Sequence, residues 1–245
     1  MRRAVCKSVA PLLALLAVCT WGFGQSLSPP SAEYRGKANG MLELHNSTNV
    51  PLVDILEVRG FSIDSQGELT FHPLDPDITV DFGASSFTIY PGQSRFVFYK
   101  ASAKRLPAWF AIISTLVRPT PVKQGLRVNI VLPHFVYLDQ KQKLKKREVE
   151  VEVLRGNKTG EYRVGLMNVS DKLGRVESIE ARGFAEHVTL GGFPVFPHQT
   201  RWVILKAGAP KPGDPELRVR FSHGLHFTVP ISGTSVQAER FTIPH

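Results

Sequence analysis

The chain is expected to fold as an all-β protein built from two tandem β-sandwich domains. Three observations predict this. Apolar and polar residues alternate with the two-residue period of a strand over many short runs. Turn residues separate those runs, and no stretch keeps a helical period over about ten residues. Finally, three motifs occur twice in the same order. Residues 46–61 (NSTNVPLVDILEVRGF) lie on residues 168–184 (NVSDKLGRVESIEARGF) with one gap. Residues 87–101 (FTIYPGQSRFVFYKA) lie on residues 193–207 (FPVFPHQTRWVILKA) without a gap, and Gly125-Leu126-Arg127-Val128 recurs loosely as Gly224-Leu225-His226-Phe227. Two sandwiches of about 100 residues each account for the length.

Residues 1–24 read as a signal peptide. Arg2, Arg3 and Lys7 form a basic start, residues 9–18 an apolar stretch, and Gly22 and Gly24 a cleavage site before Gln25. The apolar stretch is too short for a bilayer, which needs about 20 residues. The pattern suits the general secretory route, with a lipid anchor at Cys19 as a minor alternative. The first domain is expected over residues 25–139 and the second over residues 140–245. Both cysteines, Cys6 and Cys19, fall in the leader, so the exported chain has none. That excludes a disulfide-stapled scaffold and a thiol enzyme. The net charge of +9 drops by the leader's three basic residues to +6. This favours acidic partners only weakly. The basic run of residues 141–147 (KQKLKKR) carries no stacking aromatic, so nucleic acid is not expected as a partner and the run reads as a solvated linker. No segment after the leader is long and apolar enough to span a membrane.

Along the first domain, residues 28–40 are punctuated by proline and glycine and suit a short, interrupted first strand. Strands are expected over residues 41–46 and 53–61. A turn at Ser65-Gln66-Gly67 separates residues 61–63 from 69–71, and short strands follow at 78–82 and 87–90. Pro91-Gly92 is a tight turn, proline supplying φ near −65° and glycine the positive φ. Strands resume at 95–100 and 108–117. Then comes residues 125–138 (GLRVNIVLPHFVYL), in which Leu126, Val128, Ile130 and Leu132 share one parity. This is expected to be an edge strand able to offer its apolar row to another chain. Pro133 removes a backbone donor and is expected to interrupt the ladder. In the second domain, residues 148–153 (EVEVEV) predict a half-exposed antiparallel strand.

Chemistry is sparse. There is no nucleophile elbow, phosphate loop or dinucleotide fingerprint. His223 and His226 lack further ligands for zinc, and Asp75 and Asp77 sit in a proline-rich loop where such residues cap turns. Asn46, Asn157 and Asn168 fit the glycan acceptor pattern. No catalytic residue, metal or cofactor is expected.

The signal peptide, the repeated sandwich, the Pro91-Gly92-Gln93 turn, Leu106-Pro107-Ala108-Trp109-Phe110 and the following alternating strand resemble, in that order, the PapD-like periplasmic pilus-assembly chaperones. The resemblance spans about residues 25–232. It implies two tandem immunoglobulin-like β-sandwich domains with a cleft between them. It implies a periplasmic protein that donates the last strand of its first domain to a pilus or surface subunit lacking a strand, with an outer-membrane usher as a further partner. Leu126, Val128 and Ile130 match the family's donor positions, with Leu132 as a fourth. The family fixes a client's terminal carboxylate with an arginine and a lysine. Those positions fall here near Ser31 or Ala32 and near His134 or Phe135, so Arg35, Lys123, Lys141 or His134 are the substitutes to consider. The alternative is a structural or adhesive surface protein on the same fold.

Overall fold

The computed structural model describes residues 25–119, 129–156 and 158–231. In chain order the strands are β1 (Ser26–Ser28), β2 (Ser31–Arg35), β3 (Ala38–His45), β4 (Leu52–Ile63), β5 (Leu69–His72), β6 (Ile78–Phe82), β7 (Ser86–Ile89), β8 (Ser94–Ala103), β9 (Ala108–Val117) and β10 (Ile130–Asp139). The second half holds β11 (Val149–Arg155), β12 (Glu161–Asn168), β13 (Gly174–Arg182), β14 (Thr189–Leu190), β15 (Phe193–Val195), β16 (Thr200–Lys206), β17 (Glu216–Phe221) and β18 (His226–Pro230). No α-helix occurs among the described residues. The architecture is two tandem immunoglobulin-like β-sandwiches.

In the first half, one sheet runs β1-β3-β8-β6 and the other β2-β10-β9-β4-β5, with β7 also on β4. The first strand breaks at Pro29-Pro30, as its composition predicts. β1 pairs antiparallel with β3 in one sheet, and β2 pairs parallel with β10 in the other. Alternation puts Leu42, Leu44, Val97 and Tyr99 from one sheet against Leu56, Phe110, Ile112 and Leu138 from the other, all buried. In the second half, the sheets β11-β12-β16 and β14-β13-β17-β18, with β15 on β13, enclose Val151, Val164, Leu166, Ile179, Val219 and Phe221. β11 buries every second residue, as the Glu-Val alternation requires. A third cluster joins the halves. Phe61, Ala111, Ile113 and Tyr137 of the first pack with Leu173 and Phe196 of the second.

The internal repeat has a physical cause. Asn46 is buried after β3 and donates from Nδ2 to Val50 O and Ile89 O, both at 2.9 Å. Asn168, buried after β12, donates to Lys172 O and to Val195 O at 3.2 Å. The Thr48 hydroxyl donates to Asn46 Oδ1 in the first half, as the Ser170 hydroxyl does to Asn168 Oδ1 in the second. Each asparagine thus ties a strand end to the turn that follows it. Their amide nitrogens are engaged and enclosed, so Asn46 and Asn168 do not meet the glycan expectation. Asn157 lies outside the described residues. The Gly92 turn has φ +70°, and its counterpart places His198 at φ +55°. There the ring Nε2 meets the Asp171 carboxylate at 2.7 Å.

Between the halves, the basic run is exposed apart from Leu144, which packs on the second core. A single 3-10 turn at Lys146–Glu148 ends it. Asp75 caps its loop by accepting the Asp77 N–H at 2.9 Å. His223 occupies a tight turn at φ +65°, and His226 is exposed. Among the described residues, no three potential metal-ligating side chains gather.

Candidate functional site

β10 is paired along its full length on one side only. Against β9 its register is unbroken from Ile130 opposite Leu116 to Leu138 opposite Ala108. On the other side, β2 covers Phe135 to Asp139 and stops at Ser31. Among the described residues, no strand pairs with that side of β10 over residues 130–134. The direction of the free groups follows from parity. Phe135 donates its N–H to Pro30 O at 3.0 Å, away from β9. Val131 and Pro133 share its parity, so the N–H and C=O of Val131 and the C=O of Pro133 face the open side. The expected interruption at Pro133 does not occur. The missing N–H falls on the open edge, where no β9 partner is lost.

The two faces of this half-paired strand differ. Ile130 and Leu132 are half-buried and pack on the protein's own first core, in the row that continues to Val136 and Leu138. Leu126 and Val128, of the same sequence parity, lie outside the described residues, as does Lys123. The opposite face carries Val131, 54% exposed, next to Thr115, with Ile55, 48% exposed, on the far side of Thr115. Further along, Phe135 sits 5.0 Å from Phe61 and stacks with Phe71 at 6.5 Å between centroids. An open backbone edge thus borders an apolar lip that runs down to the cluster between the halves.

On the core face of the same sheet, two strands from β10, lies a buried acid. Asp54 of β4 points into the core, fully enclosed. Its Oδ1 accepts the Ser114 hydroxyl at 2.6 Å, while Oδ2 has no hydrogen-bond partner among the described residues. Ser114 stands opposite Leu132 across the β9–β10 ladder. Burial pushes the Asp54 carboxyl up to about 6, offset in part by the Ser114 hydroxyl.

His134 is also fully buried. Its Nδ1 donates to Pro29 O at 2.7 Å, which fixes the tautomer, since a carbonyl only accepts. Nε2 therefore accepts the Tyr99 hydroxyl at 2.8 Å, and the Tyr99 oxygen accepts the Tyr34 hydroxyl at 3.1 Å. Burial holds the ring's pKa below the usual histidine value, so it is neutral at pH 7. Both nitrogens are used to hold the crossing of β1 into β2, and neither is left for a carboxylate. Tyr99→Phe should leave Nε2 without a partner and lower unfolding free energy by about 1–3 kcal/mol, read from urea titration. Arg35 is exposed and stands opposite Asp139, four residues beyond the start of β2 and about 13 Å along it. Lys141 lines a shallow cavity with Arg35, Asp139 and His223 between the halves.

Sequence reasoning found the strand but missed Val131, Asp54 and the Tyr34–Tyr99–His134 chain. Asp54 carried a signal, a carboxylate at the apolar parity of Leu52 and Leu56. The tyrosine chain carried none, because its members are 35 and 65 residues apart.

The chain superposes on solved chaperone structures. One is the class 5 fimbriae chaperone CfaA, at 10% identity, covering 86% of this chain and 100% of that one with a TM-score of 0.50. Another is the chaperone YadV, at 9% identity, 84% and 99% coverage and a TM-score of 0.51. A third is a chain from the complex of Salmonella enterica SafA pilin with the SafB chaperone, at 16% identity, 85% and 97% coverage and a TM-score of 0.53. The fold is that of the pilus chaperones. No protein-family model and no curated protein matches in sequence, so the likeness is one of fold. None of the described helical segments is long and apolar enough to cross a membrane.

Proposed function

We propose that this protein is a divergent PapD-like periplasmic chaperone that binds pilus or surface-protein subunits with an incomplete β-sandwich. The observation that carries the reading is the half-paired β10. Its outward N–H and C=O groups can complete the edge of an unfinished sheet, and a lip of exposed Val131 and Ile55 flanking half-buried Thr115 lies beside them. The donated row is Leu126, Val128, Ile130 and Leu132. Ile130 and Leu132 of this row seat on the protein's own core, and Leu126 and Val128 are the members assigned to the client groove. Two aliphatic side chains, those of Leu126 and Val128, buried in a client groove would contribute on the order of 3–6 kcal/mol before the costs of association. Arg35 and Lys123 are the cations assigned to a client's terminal carboxylate; His134 is not among them, since both its nitrogens are occupied. The first domain extends over residues 25–139 and the second over residues 140–245. The protein is exported by the general secretory route, acts without cofactor or catalysis, and hands its client to an outer-membrane usher.

Affinity capture from periplasmic extract tests this. The expected result is one-to-one recovery of a β-sandwich protein whose sequence lacks its final strand. Recovery of only complete folded domains, or of nothing, would overturn the proposal.

A further inference from the structure

The β4–β5 hairpin reaches out of the first sandwich and touches the second. At its tip, Asp64 shapes the turn. Its carboxylate accepts the backbone N–H groups of Gln66 at 2.9 Å and Glu68 at 2.8 Å. The backbone then offers two carbonyls to β16, which forms the edge of its sheet. Ser65 O accepts the Trp202 N–H at 2.8 Å, and Asp64 O accepts Arg201 Nη1 at 3.1 Å. The Arg201 guanidinium lies against Gly67, which holds φ +96°, and a Cβ there would overlap it. The Arg201 guanidinium also lies over the Phe193 ring, 5.9 Å from its centroid. The turn thus covers part of an otherwise unpaired strand edge of the other sandwich.

A second attachment exists across the sheet. Arg175 pairs with Glu33 of β2 at 3.0 Å and lies over the Tyr137 ring. Gln140 exchanges side-chain hydrogen bonds with the backbone N–H and C=O of Leu173, at 3.1 and 3.2 Å. β2 and β4 are three strand spacings apart, about 14 Å. A body joined through one linker pivots. Joined again at a point displaced by that width, with the aromatic cluster between, it loses the twisting freedom.

We propose that the β4–β5 hairpin is a strap that fixes the orientation of the second sandwich on the first, with Gly67 and Arg201 as its positioning residues. Where this concerns a client, it rests on the chaperone reading, because the strap then sets the cleft into which β10 presents its edge. The orientation itself requires no client.

The exported chain has no cysteine, so two spin labels can be placed at Lys100→Cys and Thr228→Cys, both exposed. Pulsed electron resonance should give one narrow distance distribution. Arg201→Ala, and separately replacement of residues 64–68 by an Asn-Gly turn, should broaden it at least twofold while both sandwiches keep their circular dichroism and unfolding midpoints. An unchanged distribution in two folded variants would overturn the strap, whatever happens to client capture. A broadened distribution in either folded variant supports it. Arg201→Lys, which keeps the charge but loses the flat contact with Gly67, should fall between Ala and the native protein. A client captured equally well by the broadened variants would detach the strap from chaperone action and leave the chaperone reading intact.

Discussion

Val131→Pro should reduce client capture between about fivefold and a hundredfold while leaving the protein folded. The outward N–H of Val131 is the only backbone donor on the open side of β10 between Asn129 and Phe135, since Pro133 has none and the residues between them point to β9. Removing it leaves a client carbonyl without its partner, a penalty of about 1–3 kcal/mol, and each 1.4 kcal/mol is tenfold in affinity. The β9 ladder uses the other parity, so the fold keeps its own hydrogen bonds. Binding titrations with the captured subunit, beside thermal unfolding of the free protein, measure both parts. Ile130→Asp is the contrast. That side chain rests on the protein's own core, so it should lower stability as well as binding. Undiminished affinity in a folded Val131→Pro protein would mean that a client does not pair with this edge.

Asp54→Asn should stabilise the protein by about 2–3 kcal/mol at pH 7.5 and hardly at all at pH 4. In the folded chain the Asp54 carboxyl is pushed up to about 6 from 3.8. A raised carboxyl favours the folded state when protonated. That contribution is fully present below about pH 4 and is lost as pH rises through 6. The difference of roughly two pKa steps corresponds to about 3 kcal/mol at 1.36 kcal/mol each. Asparagine keeps an oxygen for the Ser114 hydroxyl and carries no charge, so it removes the ionisation penalty alone. Denaturant titrations of both proteins between pH 4 and 8 should coincide at the acid end, separate between about pH 4 and 6, and keep a constant gap above that. Parallel curves would show that Asp54 is not the group responsible.

Much of the fold was legible because alternation and turn chemistry are local. The Pro91-Gly92 turn, the break at Pro29-Pro30 and the Glu-Val strand each follow from a few adjacent residues. The repeat was legible too, and the buried Asn46 and Asn168 explain why the sequence kept it, since each closes the same turn in its own sandwich. The same pattern also misled. An Asn-x-Ser/Thr triplet reads as a surface acceptor, yet here it is a buried cage. Whether an asparagine faces water or two carbonyls depends on strands more than 25 residues away.

Pro133 shows where the local reading ended. A proline removes one donor, and that is certain from the sequence. Whether the loss matters depends on which neighbour the donor would have faced, and β9 and the open edge lie on opposite sides. His134 is similar. Its place near a family cation invited a charged role, and only the packing of Tyr99 and Pro29 around the ring made it a neutral, fully bonded spacer.

By itself, the sequence determined that the protein is a pair of β-sandwiches with an alternating apolar run after Gly125 and no cysteine beyond residue 19, because period, turns and cysteine count are properties of adjacent residues. Only the tertiary structure decided that β10 is left half-paired, that Asp54 is sealed in the core against Ser114, and that the β4–β5 turn lies across to β16. Each of those depends on which distant strand comes to stand beside a given residue, and hydrogen bonding and burial are settled by that neighbour.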